Sequence, residues 1–331
     1  MKQTSRPPET IVPPAEVIAP AEVIAPDTRY QVNIAPYQRP FRRPLQTRHG
    51  TWAIRAGLII TLTGPDDRPS QGEIAPLAWF GSESLAAAVN FCRSLRGQIT
   101  PQQIFAIPDH LPCCQFAFET ALNPHKLQQL HNAQIAALLP TGPTAIDHWQ
   151  TAYDRGHRTY KWKIGVAPIA DEWQWLDALQ QQLPGDCRLR LDANAGLSLA
   201  ESQRWLDRLA KYPNIEYLEQ PLAIEQFEAM RELAINYGTP IALDESIAQL
   251  QSLQNCYDQG WAGIYVIKPA IVGSPRRLTE FIQQHPIGVV CSSVFETAVG
   301  YSAALGVAQT LQAQTPQTDD RAVGFGTKDW W

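Results

Sequence analysis

Six short apolar segments of the chain each end on a polar residue that could take part in chemistry. These residues are Lys163, Asp192, Glu219, Asp244, Lys268 and Ser292. Three of them are carboxylates, which supply the oxygen ligands that Mg²⁺ prefers. Two are lysines, which act as bases near neutral pH when their pKa is lowered by nearby cations. The set predicts metal-assisted removal of a proton next to a carboxylate group.

The residues recur once per unit of a repeated strand-then-helix pattern. The predicted strands are 135–140, 159–164, 188–193, 215–219, 241–244, 263–268 and 287–292. Strict alternation with right-handed crossovers gives a parallel sheet, and seven such strands favour a closed barrel. Every strand of a barrel ends on the same rim, so the polar residues should form a ring around one cavity. An open Rossmann sheet is the structural alternative, and no G-x-G-x-x-G follows any strand.

Asp192, Glu219 and Asp244 are assigned as the ligands of one Mg²⁺, for which Mn²⁺ could substitute. Three carboxylates on adjacent strands would repel one another strongly without a compensating cation. The alternative is a structural network in which they pair with Lys161, Lys163 and Arg190.

Alternation along the strands places further side chains with this ring, since residues two apart point the same way. Lys161 should lie beside Lys163, while Arg190, Asp192 and Asn194 should share one face. Lys268 should face Lys163 across the cavity. Its alternative role is a surface lysine reaching solvent, which the apolar Tyr265, Val266 and Ile267 before it disfavour.

The chain divides into three predicted regions. Residues 1–28 form a Pro-rich, disordered tail that contains Ala-Glu-Val-Ile-Ala-Pro twice, with a docking peptide for a partner as the alternative. Residues 29–130 form an α+β capping domain, with a strand over 52–63 and helices over 84–95 and 112–122. The segment 312–331 is expected to complete this cap. Residues 131–311 form the catalytic barrel.

Composition narrows the classes of function. The formal net charge is −5 and no long Lys/Arg block occurs, which disfavours binding to nucleic acid or to an anionic membrane surface. Six cysteines lack C-x-x-C spacing, and no run of 18 apolar residues occurs. We therefore expect a cytoplasmic enzyme with reduced thiols that acts on a small carboxylate substrate. The sequence carries no signal for an oligomeric state.

Five short motifs together resemble the muconate-lactonising subgroup of the enolase superfamily over residues 30–331. They are Lys161-x-Lys163, Asp192-x-Asn194, Glu219-Gln220-Pro221, Asp244-Glu245-Ser246 and Lys268-Pro269. Within that subgroup, finer matches resemble the o-succinylbenzoate synthase family. These are 72–77 (GEIAPL), 190–194 (RLDAN), Ser292-Ser293 and 324–327 (GFGT).

The resemblance implies a (β/α)7β barrel with an α+β cap, and a Mg²⁺-dependent dehydration of 2-succinyl-6-hydroxy-2,4-cyclohexadiene-1-carboxylate to o-succinylbenzoate. This is a step toward menaquinone or phylloquinone. Lys163 would act as base and then acid, and Lys268 would stabilise the enediolate by its charge. The other expected substrate-binding or supporting residues are Lys161, Arg190, Asn194, Glu245, Ser292, Ser293 and Arg48. Ser292 and Ser293 would receive the succinyl carboxylate at the start of a helix near Glu296.

A loop over residues 38–50, with Arg42, Arg43, Arg48 and His49, is implied to close over the substrate. The alternative is that its arginines only solvate the surface. Two other functions stay open. Racemases or epimerases of N-succinylamino acids or dipeptides share the metal site and both lysines. A non-catalytic binding protein is disfavoured by the complete set of carboxylates and lysines.

Overall fold

The structure, a computed structural model, describes residues 25–47, 50–125, 127–314 and 321–331. The predicted tail therefore lies almost wholly outside the described residues, as do Arg48 and His49. In the described ranges, no helix is long and apolar enough to cross a membrane. All six cysteines are buried and none forms a disulfide.

An antiparallel sheet and three helices occupy the region predicted to form the cap. The strands are β1 (Tyr30–Thr47), β2 (Gly50–Thr63), β3 (Pro69–Ile74) and β4 (Gln98–Ile99), in the order β3-β2-β1-β4. The helices are α1 (Leu85–Ser94), α2 (Pro101–Phe105) and α3 (Pro112–Leu122). Leu58, Ile60 and Leu62 alternate along β2 and are buried, as expected for a sheet with one face on the core.

The predicted loop over residues 38–50 is wrong for its described part, because β1 continues through it to Thr47. Leu45 pairs with Trp52, and Thr47 pairs with Gly50, so the two strands form a long hairpin. The register shifts between Pro40 and Leu45. Such a bulge on an exposed arm tolerates prolines that an inner strand would exclude. The arginines and prolines of this segment are therefore compatible with a strand.

Eight parallel strands form the barrel, which confirms the predicted fold class. They are β5 (Ile135–Leu138), β6 (Thr159–Lys163), β7 (Arg188–Asp192), β8 (Ile215–Glu219), β9 (Ile241–Leu243), β10 (Ile264–Ile267), β11 (Gly288–Cys291) and β12 (Val323–Gly326). The helices are α4 (Ala145–Asp154), α5 (Ile169–Gln182), α6 (Leu199–Leu209), α7 (Phe227–Asn236), α8 (Leu250–Asp258), α9 (Pro269–Val272), α10 (Pro275–Gln284) and α11 (Ala298–Gln314). The capping box of Ser198 and Glu201 opens α6 as predicted.

The closing strand corrects the assignment of residues 312–331 to the cap. β12 pairs with β5, and Ser292 bridges to Gly324, which joins the two ends of the sheet. A Cβ on Gly326 would lie 2.3 Å from the Ala136 carbonyl oxygen, so this close approach requires glycine. Among the described residues of this segment, the last one contacts the cap, where the Trp331 ring lies 4.9 Å from that of Phe41.

The barrel interior carries a small apolar layer below the rim. Tyr217, Ala242, Val266 and Val290 belong to one buried cluster that is separate from the main core. Each precedes by two residues a polar residue of the predicted ring, so both members of a pair face inward. The alternation places the polar ring directly above this apolar layer.

Candidate active site

The predicted ring assembles at the carboxyl ends of neighbouring barrel strands. Lys163, Asp192 and Glu219 are the last residues of β6, β7 and β8. Lys163 pairs in register with Asp192, and Asp192 pairs with Glu219. Asp244, Lys268 and Ser292 each follow directly on β9, β10 and β11.

A cavity of about 210 Å³ opens above this rim, between the barrel and the cap. Nine of the predicted site residues line it: Lys161, Lys163, Asp192, Asn194, Asp244, Glu245, Lys268, Ser292 and Ser293. Glu219 lies just below and is fully buried. The sequence therefore identified most of the polar wall of the cavity.

Lys161 joins two of the three carboxylates. Its Nζ lies 2.8 Å from Asp192 Oδ2 and 2.7 Å from Glu219 Oε1. Burial raises the pKa of Glu219 to about 8, and the charge of Asp192 adds to this rise while Lys161 opposes it. Burial would raise the pKa of Asp192 as well, but Lys161 lowers it below its usual value. The ammonium group therefore favours the charged form of Asp192, while the charged form of Glu219 stays disfavoured.

Asp244 forms an ion pair with Lys268 through its Oδ1 atom. Burial raises the pKa of Asp244 to about 6, although the charge of Lys268 lowers it. Burial therefore disfavours the charged form of Asp244, as it does that of Glu219. All three would be stabilised as carboxylates by a further positive charge.

The donor set fits an oxygen-preferring divalent cation. Within the described ranges, no group of three His, Cys, Asp or Glu side chains is arranged to hold a metal ion in its present conformation. In this structure, ion pairs with Lys161 and Lys268 orient the carboxylate oxygens of Asp192, Glu219 and Asp244. However, Glu219 Oε2 is buried without a hydrogen-bond partner. A buried orphan oxygen between other carboxylates calls for a ligand such as a metal ion.

The two lysines of β6 differ in their electrostatics. Burial lowers the pKa of Lys163, as does the charge of Lys161, while Asp192 and Glu245 oppose this shift. Burial would also lower the pKa of Lys161, but Asp192 and Glu219 raise it well above its usual value. Lys161 therefore stays an ammonium group, and Lys163 is the amine better suited to accept a proton.

Asn194 and Glu245 lie behind the proposed ligands. Asn194 Nδ2 donates to Glu245 Oε1 at 3.2 Å, and the Asn194 backbone N–H donates to Asp192 Oδ1 at 3.0 Å. Asn194 has a left-handed backbone with φ of 44°, a conformation that asparagine tolerates better than most residues. This turn holds the Asp192 carboxylate at the rim.

Gln220 is a site residue whose role was missed, although it stands within the quoted Glu-Gln-Pro motif. Its side-chain Oε1 accepts from the backbone N–H groups of Asp244 at 2.9 Å and Ser246 at 3.2 Å. Its Nε2 donates to Ser246 Oγ at 2.8 Å. Gln220 therefore ties the end of β8 to the residues after β9, and so fixes Glu219 relative to Asp244.

The helix after Ser292 and Ser293 does not offer the anion site that was predicted. α11 begins at Ala298, and its first turn is occupied by the cap residue Glu73, which accepts from Thr297 N at 3.0 Å and Gly300 N at 2.8 Å. A carboxylate already satisfies these free N–H groups. The contact docks the cap on the barrel instead. Ser293 Oγ donates to Glu296, while both serines still line the cavity.

The structure does not bring Arg190 to the cavity. Its guanidinium is buried below the rim, where Nε lies 2.7 Å from Glu216 Oε2 and Nη2 lies 2.6 Å from the Ala322 carbonyl oxygen. Arg190 precedes the rim residue Asp192 by two positions, which places both side chains on one face of β7 but at different depths in the barrel. Arg42 and Arg43 are exposed on β1, and Arg48 lies outside the described residues.

Replacing Arg190 with alanine is expected to lower the free energy of unfolding by about 3 kcal/mol, because it leaves the Glu216 carboxylate, which is only 11% exposed, with Arg321 at 3.4 Å as its remaining ion-pair partner. Urea unfolding of the variant would measure this loss. Arg155→Ala, which breaks an exposed ion pair with Asp329, is the control and should cost about 1 kcal/mol or less. A variant of normal stability with a raised KM would show that Arg190 binds substrate after all.

Aromatic side chains form the part of the wall that was not anticipated. They are Trp52, Trp79 and Phe80 from the cap, with Phe295 and Trp330 from the barrel. The Trp52 ring lies 5.8 Å from Trp79 and 5.6 Å from Phe295. These residues are far apart in sequence and lie on a hairpin, a turn and the chain end, so no local pattern indicates their common site.

Comparisons with known proteins agree with this geometry. Residues 29–124 match the family described as MenC, N-terminal domain, and residues 144–329 match Enolase C-terminal domain-like. The o-succinylbenzoate synthase of Thermosynechococcus vestitus is 37% identical over 91% of this chain and 93% of its own length.

Solved structures extend the comparison. A crystal structure of o-succinylbenzoate synthase from Thermosynechococcus elongatus, with Mg in the active site, has a TM-score of 0.83 at 36% identity and covers 91% of this chain and 94% of its own. A dipeptide epimerase from Enterococcus faecalis has a TM-score of 0.74 at 20% identity, covering 91% of each chain, and shares the fold. Since the match in sequence extends across both cap and barrel, the chain belongs to the o-succinylbenzoate synthase family of the enolase superfamily.

Proposed function

We propose that the protein catalyses the dehydration of 2-succinyl-6-hydroxy-2,4-cyclohexadiene-1-carboxylate to o-succinylbenzoate, a step toward menaquinone or phylloquinone. The observation that carries this proposal is the placement of two lysines on different strands of one barrel rim, with three carboxylates on the strands between them. The family membership supplies the substrate class.

Asp192, Glu219 and Asp244 would hold the Mg²⁺ ion, and Mn²⁺ could replace it because it prefers similar oxygen ligands. When bound, the ion supplies positive charge that stabilises the negative charge developing on the substrate carboxylate. Lys161 contacts two of these ligands. Its ammonium group would hold Asp192 and Glu219 in place and keep a positive charge next to Lys163.

Lys163 carries the proton through the reaction. Its neutral amine removes the proton from the ring carbon that bears the carboxylate. The electron pair of that C–H bond is first delocalised into the substrate carboxylate. It then completes the aromatic ring as the bond from the adjacent carbon to the hydroxyl breaks. The Lys163 ammonium then returns the proton to the departing hydroxyl, which leaves as water. The residue ends as the amine with which it began.

Lys268 would stay positively charged on the opposite side of the ring. Its side chain is only 12% exposed and forms an ion pair with Asp244. A fixed ammonium group in a cavity that excludes water stabilises transient negative charge more strongly than solvent does. Lys268 therefore contributes through its charge and transfers no proton in the dehydration.

The test is incubation of the purified protein with the cyclohexadiene acid and Mg²⁺, with aromatisation followed by ultraviolet absorbance. The expected result is o-succinylbenzoate at a rate typical of an enzyme, lost after thorough removal of divalent ions and recovered when Mg²⁺ is returned. Equal turnover before and after removal of divalent ions would contradict the assigned metal site.

Racemisation or epimerisation of N-succinylamino acids or dipeptides is the second candidate. The same observation favours it, because a lysine on each side of the cavity is what two-sided proton transfer requires. A non-catalytic binding protein is disfavoured by the complete set of lysines and carboxylates. We further place the enzyme in the cytoplasm, on the basis of its six unpaired cysteines.

A further inference from the structure

Lys268 has an aromatic partner from the other domain. Its Nζ lies 4.2 Å from the centre of the Phe80 ring. Phe80 belongs to the cap and is 8% exposed. The ammonium group is therefore held between a carboxylate of the barrel and the face of a phenyl ring of the cap.

The cap segment that carries Phe80 is fixed on the barrel loop that follows Asp244. Gln249 Nε2 donates to the Gly81 carbonyl oxygen. Gly81 has a φ of 119°, and a Cβ at this position would lie 2.9 Å from Ala248 Cβ. Only glycine allows the segment to pass so close to the loop in this conformation. The ring position is thus set by contacts with the barrel next to Asp244.

We propose that Phe80 is a positioning residue for the proposed reaction, which holds the Lys268 ammonium group at its place opposite Lys163. The inference rests on the proposed function and goes beyond it by giving the cap a direct part in arranging the catalytic lysines.

Lys268 needs a second contact because its ion-pair partner, Asp244, is shared with the proposed metal site. This carboxylate pairs with Lys268 and is also a proposed metal ligand, so it cannot define the position of the ammonium group alone. Water is largely excluded from Lys268, and a desolvated cation requires other favourable contacts. The negative face of an aromatic ring attracts a cation within about 6 Å of its centre. An aliphatic side chain of similar size would exclude water equally well and would provide no such attraction.

Stepwise fluorination of the ring at position 80 tests this reasoning, since fluorine withdraws charge from the ring face with little change in size. Mono-, di- and trifluorophenylalanine would be incorporated at this position in the full chain. We expect kcat to fall with each fluorine, by about tenfold over the series, which corresponds to about 1.4 kcal/mol in activation free energy. KM and the thermal midpoint should change little. A flat kcat, or a change confined to KM, would overturn the proposal and leave Phe80 as a wall of the cavity.

Phe105 provides the matched control for fluorination. Arg276 lies 5.2 Å from its ring, and the residue is 40% exposed on the cap, with no contact to the cavity. The same series at position 105 should leave kcat unchanged. Phe80→Trp should keep much of the activity and Phe80→Leu should lose it, if the ring face is what matters.

A measurement without substrate separates this inference from the proposed function. In protein labelled with ε-¹³C-lysine, the Lys268 signal can be identified by its absence from Lys268→Arg. The ring current of Phe80 should shift the ε-methylene protons of Lys268 upfield, and Phe80→Leu should remove that shift. If the shift is present and the wild-type enzyme does not form o-succinylbenzoate, the proposed function fails while the contact stands. If turnover is normal and no shift is seen, the positioning role fails.

Discussion

Replacing Lys163 with alanine is expected to lower kcat for dehydration by about 10⁴-fold, at the upper end of the range for a general acid–base group. The same nitrogen is assigned to remove the proton and to protonate the leaving hydroxyl, so its loss affects both parts of the reaction. Burial lowers the pKa of Lys163, which increases the fraction of neutral amine at a given pH. Steady-state aromatisation kinetics would measure the effect.

Two controls separate this loss from a general disturbance. Lys211→Ala removes an exposed lysine that follows α6 and should leave kcat unchanged. Small primary amines added to Lys163→Ala should restore part of the activity, since they can occupy the space of the missing amine. The loss expected for a general base is much larger than tenfold. If Lys163→Ala keeps more than about a tenth of normal turnover, Lys163 is therefore not the essential base.

Replacing Glu219 with glutamine is the second change with a large expected effect. We expect the affinity for Mg²⁺ to fall by more than about 100-fold, because even a group that only supports a metal ligand contributes about 10- to 100-fold. Glu219 is fully buried, and its Oε2 has no hydrogen-bond partner. Glutamine keeps the shape and removes the charge, so the barrel should stay folded while turnover at low Mg²⁺ is lost.

Calorimetric titration with Mg²⁺ would measure this affinity without substrate. Glu225→Gln is the matched control, since Glu225 is exposed beyond the same strand, and it should bind Mg²⁺ normally. Unchanged Mg²⁺ affinity in Glu219→Gln would refute its assignment as a ligand. Restored turnover at high Mg²⁺ would still agree with the assignment, because the defect lies in binding the ion.

Prediction from the sequence succeeded where chemically reactive residues recur with the period of the strand-and-helix repeat. β8 ends at Glu219 as predicted, and the other predicted strands extend one or two residues beyond the observed ones at some ends. Most of their apolar residues are buried, as is typical of a parallel sheet covered by helices. Six of the seven predicted strands carry a polar or charged residue at the rim, and the strand over 135–140 does not. The same regularity located Lys163 and Lys268 on one rim.

The wrong predictions concern segments whose structure depends on contacts with residues far away in the sequence. β12 contains Gly324 and Gly326, which local preference would place in a turn. Close packing against Ser292 requires the first glycine, and close packing against β5 requires the second. The side chain of Glu73 accepts a hydrogen bond at the start of α11 from Thr297, which lies 224 residues later in the sequence. The lining by Trp52 and Phe80 likewise depends on how the cap docks. No local signal contains these contacts, because they exist only after both domains have folded.

We expect proton transfer in this enzyme to take place on one face of the substrate, through Lys163. The decisive measurement is α-proton exchange in D₂O, with Lys163→Ala offered each enantiomer of an N-succinylamino acid, alongside aromatisation by the unmodified enzyme. A dehydratase whose Lys268 acts only through its charge should aromatise the cyclohexadiene acid efficiently, and its Lys163→Ala variant should exchange neither enantiomer. Robust exchange of one enantiomer by Lys163→Ala, together with weak aromatisation by the unmodified enzyme, would contradict the account and identify a racemase that uses Lys268 as its second base.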